Sequence, residues 1–167
     1  MFWTLLIAIA TGMRTMTGIA VICWAAYLGY LPVQGTWAFW TAKLAAVIVF
    51  SAAALGEYIG DTLPSTPSRK SFVGLSARLA FALLAGMILA TVLQQPKAGG
   101  VVLGLIGVLI GTYGGYALRM WGARLAGRDL PIALLESAVA VGLCLVAIHH
   151  IHREIMVTLE HAAMLLR

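Results

Sequence analysis

Long apolar runs, each separated from the next by a short polar turn, dominate this sequence of 167 residues. They cover about residues 2–31, 37–64, 75–93, 99–121 and 131–149. A transmembrane helix needs about 20 mainly apolar residues to cross a hydrocarbon core about 30 Å thick. Charged residues make up only 10% of the chain, against about a quarter of a soluble domain. We therefore predict an all-α, polytopic helical membrane protein with about five membrane-embedded segments, located in a bacterial inner membrane as a multi-pass protein.

The first apolar run, residues 2–31, is too long for a single straight span. As a continuous helix it would extend for about 45 Å, well beyond the hydrocarbon core. Its centre, residues 12–18, reads Gly-Met-Arg-Thr-Met-Thr-Gly, a segment able to break a helix. Non-helical backbone at membrane depth is tolerated only where protein or water covers it. The run is therefore either one broken span or a re-entrant hairpin of two half-helices.

The C-terminal residues 151–167 differ from the rest of the chain. They are too short and too polar to span a membrane, but apolar side chains recur among them at helical spacing: Ile151, Ile155, Leu159, Ala162 and Leu166. This pattern predicts an amphipathic helix on the membrane surface or against a partner subunit. We thus divide the chain into a transmembrane helical domain, residues 1–150, and an amphipathic tail, residues 151–167.

Basic residues are concentrated in two of the turns and give the chain a net charge of +5. The turn after the second run carries Arg69 and Lys70, with Arg78 at its end, and the turn after the fourth carries Arg119, Arg124 and Arg128. Cytoplasmic loops are enriched in such residues, so we predict that both turns are cytoplasmic. A re-entrant first run would then put both chain termini outside, and a single span would put only the C-terminus there. Because no basic patch is interleaved with aromatic residues, we predict no nucleic-acid partner.

A few charged residues lie inside the apolar runs or beside them. Glu57 and Asp61 are four residues apart, so on a helix they share a face at a separation of about 6 Å. Glu136 is expected at a similar depth in the last run. Arg14 is the deepest charge if the first run spans once, where a lone arginine costs several kcal/mol unless it is paired or hydrated. We predict a substrate- or ion-binding site formed by six residues: Arg14, Glu57, Asp61, Arg78, Arg119 and Glu136.

The same charges have a purely structural interpretation. They could form an interfacial network of salt bridges that locks the helices together. In that case Arg14 would satisfy carbonyl groups freed at a kink, or pair with Glu57 or Glu136. The sequence leaves the binding site and the structural network as alternatives.

Glycines recur along the fourth run at spacings of four, three, four and three residues, and so lie on one helix face. They are Gly100, Gly104, Gly107, Gly111 and Gly114, with Gly115 beside the last. Small residues at such spacing let membrane helices approach closely. We predict a helix-packing face, with a pore lining as the alternative.

Other chemistry has little support in the sequence. His149 and His152 have a spacing that suits a metal ion, but histidines at a membrane boundary are more often interfacial, so we predict no metal site. Cys23 and Cys144 lie in apolar runs and are expected to pack in the core. There is no P-loop, no Gly-x-Ser-x-Gly and no clear nucleophile–base pair, and we predict neither an enzyme nor a cofactor.

Four segments of the chain resemble a known family in their order and spacing. They are residues 12–18, quoted above, residues 56–69 (GEYIGDTLPSTPSR), residues 115–119 (GYALR) and residues 129–136 (DLPIALLE). Together they resemble the bacterial membrane family catalogued as domain-of-unknown-function family 4126, over about residues 8–147. The resemblance implies a membrane location and no established activity. In relatives we expect an acidic residue after the last glutamate, where this chain has Ser137.

These observations lead to one leading function and two alternatives. We predict a small transporter or channel-like protein for an ion or small polar solute. Because about five spans rarely enclose a full translocation path, we expect a homo-oligomer surrounded by membrane lipid. The first alternative is a non-transporting scaffold or accessory subunit. The second is a protein whose basic loops bind lipid head groups.

Overall fold

The computed structural model describes residues 1–60 and 72–165, and it is built from helices. They are α1 (Phe2–Met13), α2 (Thr17–Tyr27), α3 (Leu44–Gly60), α4 (Phe72–Val92), α5 (Lys97–Leu109), α6 (Gly115–Ala126) and α7 (Asp129–Leu165). A 3-10 turn, Phe39–Ala42, precedes α3, and a π-helical turn, Ile110–Gly114, makes α5 and α6 continuous. Within the described ranges, three helices are long and apolar enough to cross a membrane: α4, the continuous α5–α6 and α7. The prediction of an all-α helical membrane protein is confirmed.

Helices α1 and α2 form a hairpin rather than one broken span. Gly18 in α2 lies beside Thr11 in α1, and a side-chain carbon at Gly18 would be 3.5 Å from the Ile7 methyl carbon Cγ2. In a straight helix, residues 7 and 18 would be about 16 Å apart along the axis. At about 18 and 16 Å, the two half-helices are each shorter than a bilayer core. Of the two alternatives for the first run, the structure has the hairpin of two half-helices.

The open end of the hairpin is held by the distal part of α7. Near the start of α1, Trp3 Nε1 donates a hydrogen bond of 2.9 Å to Glu154 Oε1. Beyond the end of α2, the Tyr30 carbonyl oxygen lies 3.0 Å from His152 Nδ1. Since Glu154 and His152 are neighbours on one helix, both ends of the hairpin lie at the same level of the molecule.

Helix α1 lies at the centre of the bundle, where it packs against α4, α5 and α7, while α2 separates it from α3. The side chains of Ile7 and Ala10 on α1, and of Ile19 and Ile22 on α2, are fully buried. The hairpin tip therefore lies among helices rather than against lipid, as buried irregular backbone requires.

The glycine face of the fourth run contacts two different helices. Gly100 and Gly104 lie against the α4 backbone, whereas Gly107 and Gly111 lie against the α1 backbone. The prediction was wrong for Gly114, because no described atom outside its own helix lies within 4 Å of the position that a Cβ would take. The π-helical turn adds one residue to the helix at this point and rotates the following residues. Gly115 takes the place predicted for Gly114, with Met13 Cγ 3.0 Å from its Cβ position.

The predicted tail is not a separate helix. Helix α7 continues without a break for 37 residues, about 55 Å, and so exceeds the thickness of a bilayer core. Ile151 is fully buried, but Met156, Val157, Leu159 and Met164 are exposed on the extension. The prediction that this segment lies on the membrane surface or against a partner subunit stays a prediction.

Helix α4 ends in a Schellman motif at the level of the hairpin's open end. Gln94 has a positive φ of 53°, a conformation that glycine usually takes at this position. The Gln95 N–H donates to the Ala90 carbonyl at 2.8 Å, and the Gln94 N–H donates to the Thr91 carbonyl at 3.2 Å. These two hydrogen bonds fix the turn that leads into α5.

Candidate functional site at the hairpin tip

The break between α1 and α2 leaves backbone groups without partners inside the helices. Arg14, the residue after α1, is extended, with φ −137° and ψ 108°. The last carbonyls of α1 and the first N–H groups of α2 must therefore find other partners, because an unsatisfied polar group in a dry interior is costly. Side chains from α3, α4 and the α5–α6 helix supply them.

Glu57 of α3 holds the start of α2. Its Oε1 accepts a hydrogen bond of 2.7 Å from the Thr15 N–H, and its Oε2 accepts one of 2.8 Å from the Met16 N–H. A carboxylate at a helix N-terminus is also favoured by the helix dipole. Both oxygens of Glu57 are thus engaged with the hairpin backbone.

Arg78 of α4 holds the end of α1. Its Nε donates a hydrogen bond of 3.2 Å to the Gly12 carbonyl, which also accepts one of 3.2 Å from Thr112 Oγ1 in the π-helical turn. Arg78 Nη2 lies 3.7 Å from Glu57 Oε1. The two half-helix ends are therefore held by an arginine and a glutamate that also pair with each other.

Arg14 points from the tip toward α7 and is 1% exposed. Its Nη2 donates a hydrogen bond of 2.8 Å to the Ala133 carbonyl and lies 3.7 Å from Glu136 Oε2. Its guanidinium carbon lies 5.5 Å from the centroid of the Tyr58 ring, a distance suited to a cation–π interaction. The Tyr58 hydroxyl in turn shares a hydrogen bond of 2.7 Å with Thr17 Oγ1. Arg14 is thus held from both α3 and α7.

A second arginine connects Glu136 to the protein surface. Arg119 Nη1 lies 3.7 Å from Glu136 Oε2, and Arg119 Nε donates a hydrogen bond of 2.9 Å to Asp129 Oδ1. The Glu136 side chain is 5% exposed, but that of Asp129 is 53% exposed. Ion pairs therefore run from the exposed Asp129 through Arg119 and Glu136 to the buried Arg14.

Among the described residues, charge in this cluster is balanced, because three arginines face three carboxylates. The arginines are Arg14, Arg78 and Arg119, and the carboxylates are Glu57, Asp129 and Glu136. Removing charges from water costs several kcal/mol per ion, and mutual pairing with good geometry offsets this cost. Each of these six described charges has an oppositely charged neighbour, which allows most of the cluster to be buried.

Five of the six predicted site residues meet at the hairpin tip or next to it: Arg14, Glu57, Arg78, Arg119 and Glu136. The sixth, Asp61, lies outside the described residues. Glu57 and Glu136 hold different parts of the hairpin and do not form one paired-carboxylate site. Sequence reasoning missed Tyr58 and Thr112. The one signal for Tyr58 in the sequence is its position next to Glu57, and the one for Thr112 is its position among the glycines of the fourth run. It also missed Asp129, which belongs to the DLPIALLE segment.

The histidines lie at the other end of the molecule. His150 stacks on Trp3 with ring centroids 4.0 Å apart, and His152 contacts the Tyr30 carbonyl. Within residues 1–60 and 72–165, no group of three or more His, Cys, Asp or Glu side chains is arranged to hold a metal ion.

Comparison of the chain with protein-family models, with curated proteins and with solved structures found no match. The resemblance to family 4126 accordingly stays a prediction. Fold and site together define a class: a helical membrane protein with a hairpin of two half-helices, whose tip is held by buried ion pairs.

Proposed function

We propose that this protein is a small transporter or channel-like protein for an ion or small polar solute, with its site at the hairpin tip. The observation that carries the proposal is the break between α1 and α2 at residues 14–16, which lies next to two carboxylates and two further arginines. Discontinuous helices that meet inside the membrane are a recurrent way to build a binding site in transporters. Ionisable residues inside a membrane protein commonly mark an ion or substrate pathway.

The route to this site would begin at Asp129. Its exposed carboxylate and the Arg119 side chain cover Glu136, and Arg14 lies behind Glu136. With Arg14 only 1% exposed, the conformation described is closed at the site. Opening would require the Arg119–Asp129 pair to separate, so that a solute or proton could reach Glu136.

A scaffold or accessory subunit is the second candidate, and the complete pairing of the cluster favours it. Every carboxylate in the cluster contacts an arginine, and Arg14 and Arg78 also donate to backbone carbonyls. A fully paired network of this kind is sufficient to lock helices together without binding any solute. Transport and scaffold functions differ in what removal of the charges would do.

The test is flux into liposomes that contain the purified protein. We expect wild-type protein to pass a proton, an inorganic ion or a small polar solute. The double variant Arg14→Met with Glu136→Gln removes one buried pair without leaving an isolated charge, and such replacements are often neutral for stability. We therefore expect it to keep its unfolding temperature within a few degrees and to lose flux by at least about tenfold, the range expected for one lost charged contact.

Glu160→Gln is the matched control, since Glu160 is an exposed carboxylate on α7 outside the cluster. It should keep wild-type flux. The transporter proposal fails if a stable double variant retains full flux. Absence of wild-type flux for every solute tried, together with an unstable double variant, would favour the scaffold.

We further propose that the protein lies in a bacterial inner membrane, with the Gly127–Asp129 turn in the cytoplasm and both termini outside. The support is the position of Arg124 and Arg128 at this turn, together with the hairpin that returns the chain to the side from which it entered. A cysteine introduced at Arg124, exposed near the end of α6, should resist a membrane-impermeant thiol reagent in intact cells and react after lysis. Ready reaction in intact cells would reverse the assigned orientation.

A further inference from the structure

A cavity of about 440 Å³ lies at the open end of the hairpin, remote from the charged cluster. Its walls come from the loop after α2, from the turn between α4 and α5, and from the distal part of α7. Along α7, Glu154 in this wall is 18 residues from Glu136, which corresponds to about 27 Å. The volume falls in the range of pockets that hold small molecules, roughly 300–1,000 Å³.

The hydroxyl groups in the wall present acceptors rather than donors. Thr36, Thr91 and Thr158 line the cavity, and each donates its hydroxyl proton to a backbone carbonyl. A hydroxyl that has donated its one proton can only accept further hydrogen bonds. The Thr36 and Thr91 oxygens already accept one hydrogen bond each, from the Ala38 N–H and from Trp37 Nε1, so each could offer a ligand one further lone pair.

Glu154 and Gln95 add stronger acceptors to the same wall. Glu154 accepts one hydrogen bond from Trp3 Nε1 and forms no ion pair with any residue in the described ranges. The Gln95 side-chain oxygen is buried and has no hydrogen-bond partner among the described residues, although its backbone is fixed by the Schellman motif. A buried carbonyl oxygen without a donor is unfavourable, and a ligand donor that reached it would remove that cost.

Apolar side chains complete the cavity and limit the shape of what it can hold. Val92, Leu93, Ile155 and Leu159 line it beside the oxygen acceptors. The wall thus combines one carboxylate, several neutral oxygen acceptors, the amide groups of Gln34 and Gln94, which can donate as well as accept, and an apolar surface. Glu154 supplies the only formal charge among these lining side chains. This chemistry suits a donor-rich cation that carries a short alkyl chain, and it disfavours anions.

We propose that this cavity binds a primary alkylammonium group, with the ammonium at Glu154 and Gln95 and the alkyl chain against the apolar side chains. Two sources share this chemistry: a free alkylamine from the aqueous phase, and the ammonium of an ethanolamine lipid head group. The site is separate from the hairpin tip and does not depend on the function proposed for that tip.

The test uses the full chain and its own tryptophans. Trp3 is bonded to Glu154 and Trp37 to Thr91, so tryptophan fluorescence should report binding at the cavity. Purified protein in detergent is titrated with butylammonium, and with butyrate as the anionic counterpart of similar size. In parallel, protein in nanodiscs of phosphatidylglycerol is compared with protein in nanodiscs that contain phosphatidylethanolamine. We expect saturable binding of butylammonium, of phosphatidylethanolamine or of both, and none of butyrate.

Glu154→Gln removes the negative charge that pairs with the ammonium, and Gln95→Leu removes a neutral acceptor of its hydrogen bonds. Each should weaken this binding by about tenfold. Glu160→Gln, which removes an exposed carboxylate outside the cavity wall, should leave it unchanged. Binding is compared only among variants whose unfolding temperature matches that of the wild type. If Gln95→Leu does not fold, Gln95→Asn takes its place. Binding that is insensitive to Glu154→Gln, equal binding of butyrate, or no saturable signal from either ammonium source would each overturn the proposal.

Discussion

Replacing Glu57 by glutamine should destabilise the protein by about 3–5 kcal/mol, the usual cost of breaking a buried ion pair by removing one partner. Both carboxylate oxygens accept hydrogen bonds from hairpin N–H groups. In the glutamine variant, one of these two N–H groups would face the amide NH₂, which cannot accept its hydrogen bond. Arg78 would also lose its carboxylate partner at 3.7 Å. We expect a large fall in unfolding temperature, measured in detergent by circular dichroism.

The matched control for this prediction is again Glu160→Gln, which makes the same chemical change at an exposed site. Surface substitutions away from such features are usually within about 0.5 kcal/mol of wild type. If the two glutamine variants unfold at the same temperature, Glu57 does not hold the start of α2 in the way that its geometry indicates. A fall confined to Glu57→Gln would show that the hairpin tip depends on this carboxylate.

A single methyl group at Gly111 should be nearly as damaging. A Cβ there would overlap the Ile9 carbonyl oxygen and would lie 3.0 Å from Gly12 Cα. Both neighbours are backbone atoms that cannot rotate away, so α1 would have to separate from the α5–α6 helix. We expect Gly111→Ala to cost about 3 kcal/mol, the upper end of the usual range for overpacking, and Gly111→Leu to cost more.

Gly114→Ala is the control for this prediction, since it adds the same methyl group to the same continuous helix. With no described atom outside its own helix within 4 Å, it should leave stability unchanged or raise it by about 0.5–1 kcal/mol, because glycine weakens helices. Unfolding temperature and oligomer size in detergent are the measurements. Equal stability of the two alanine variants would refute close packing at Gly111. Loss of stability in both would refute the rotation of the helix at the π-helical turn, which turns Gly114 away from the core.

Much of the architecture could be predicted because the hydrophobic effect acts on long stretches of sequence. The apolar runs indicated membrane helices, and the charge-poor composition excluded a soluble surface. The cluster residues could also be found, since charges in apolar runs are few and need partners. Five of them could be named without any knowledge of how the helices pack.

Pairing within the cluster could not be predicted. From the sequence, either Glu57 or Glu136 could have been the partner of Arg14. The packing of α7 against α1 places Arg14 near Glu136, and Glu57 instead holds the start of α2. Likewise, the freed Gly12 carbonyl is satisfied by Arg78 and Thr112 rather than by Arg14. Such choices depend on distances of a few ångströms between helices that are far apart in sequence.

The sequence by itself determined that this chain is a helical membrane protein, that its first apolar run must break near Arg14, and that small residues bring the α5–α6 helix close to its neighbours. Tertiary structure alone decided that the break is a hairpin, because Gly18 can close against Thr11 only when α2 turns back along α1. It also decided that Gly115 rather than Gly114 faces the core, because one extra residue in a π-helical turn rotates the helix beyond it. Both outcomes depend on contacts between segments, and a periodic pattern within one segment carries no information about them.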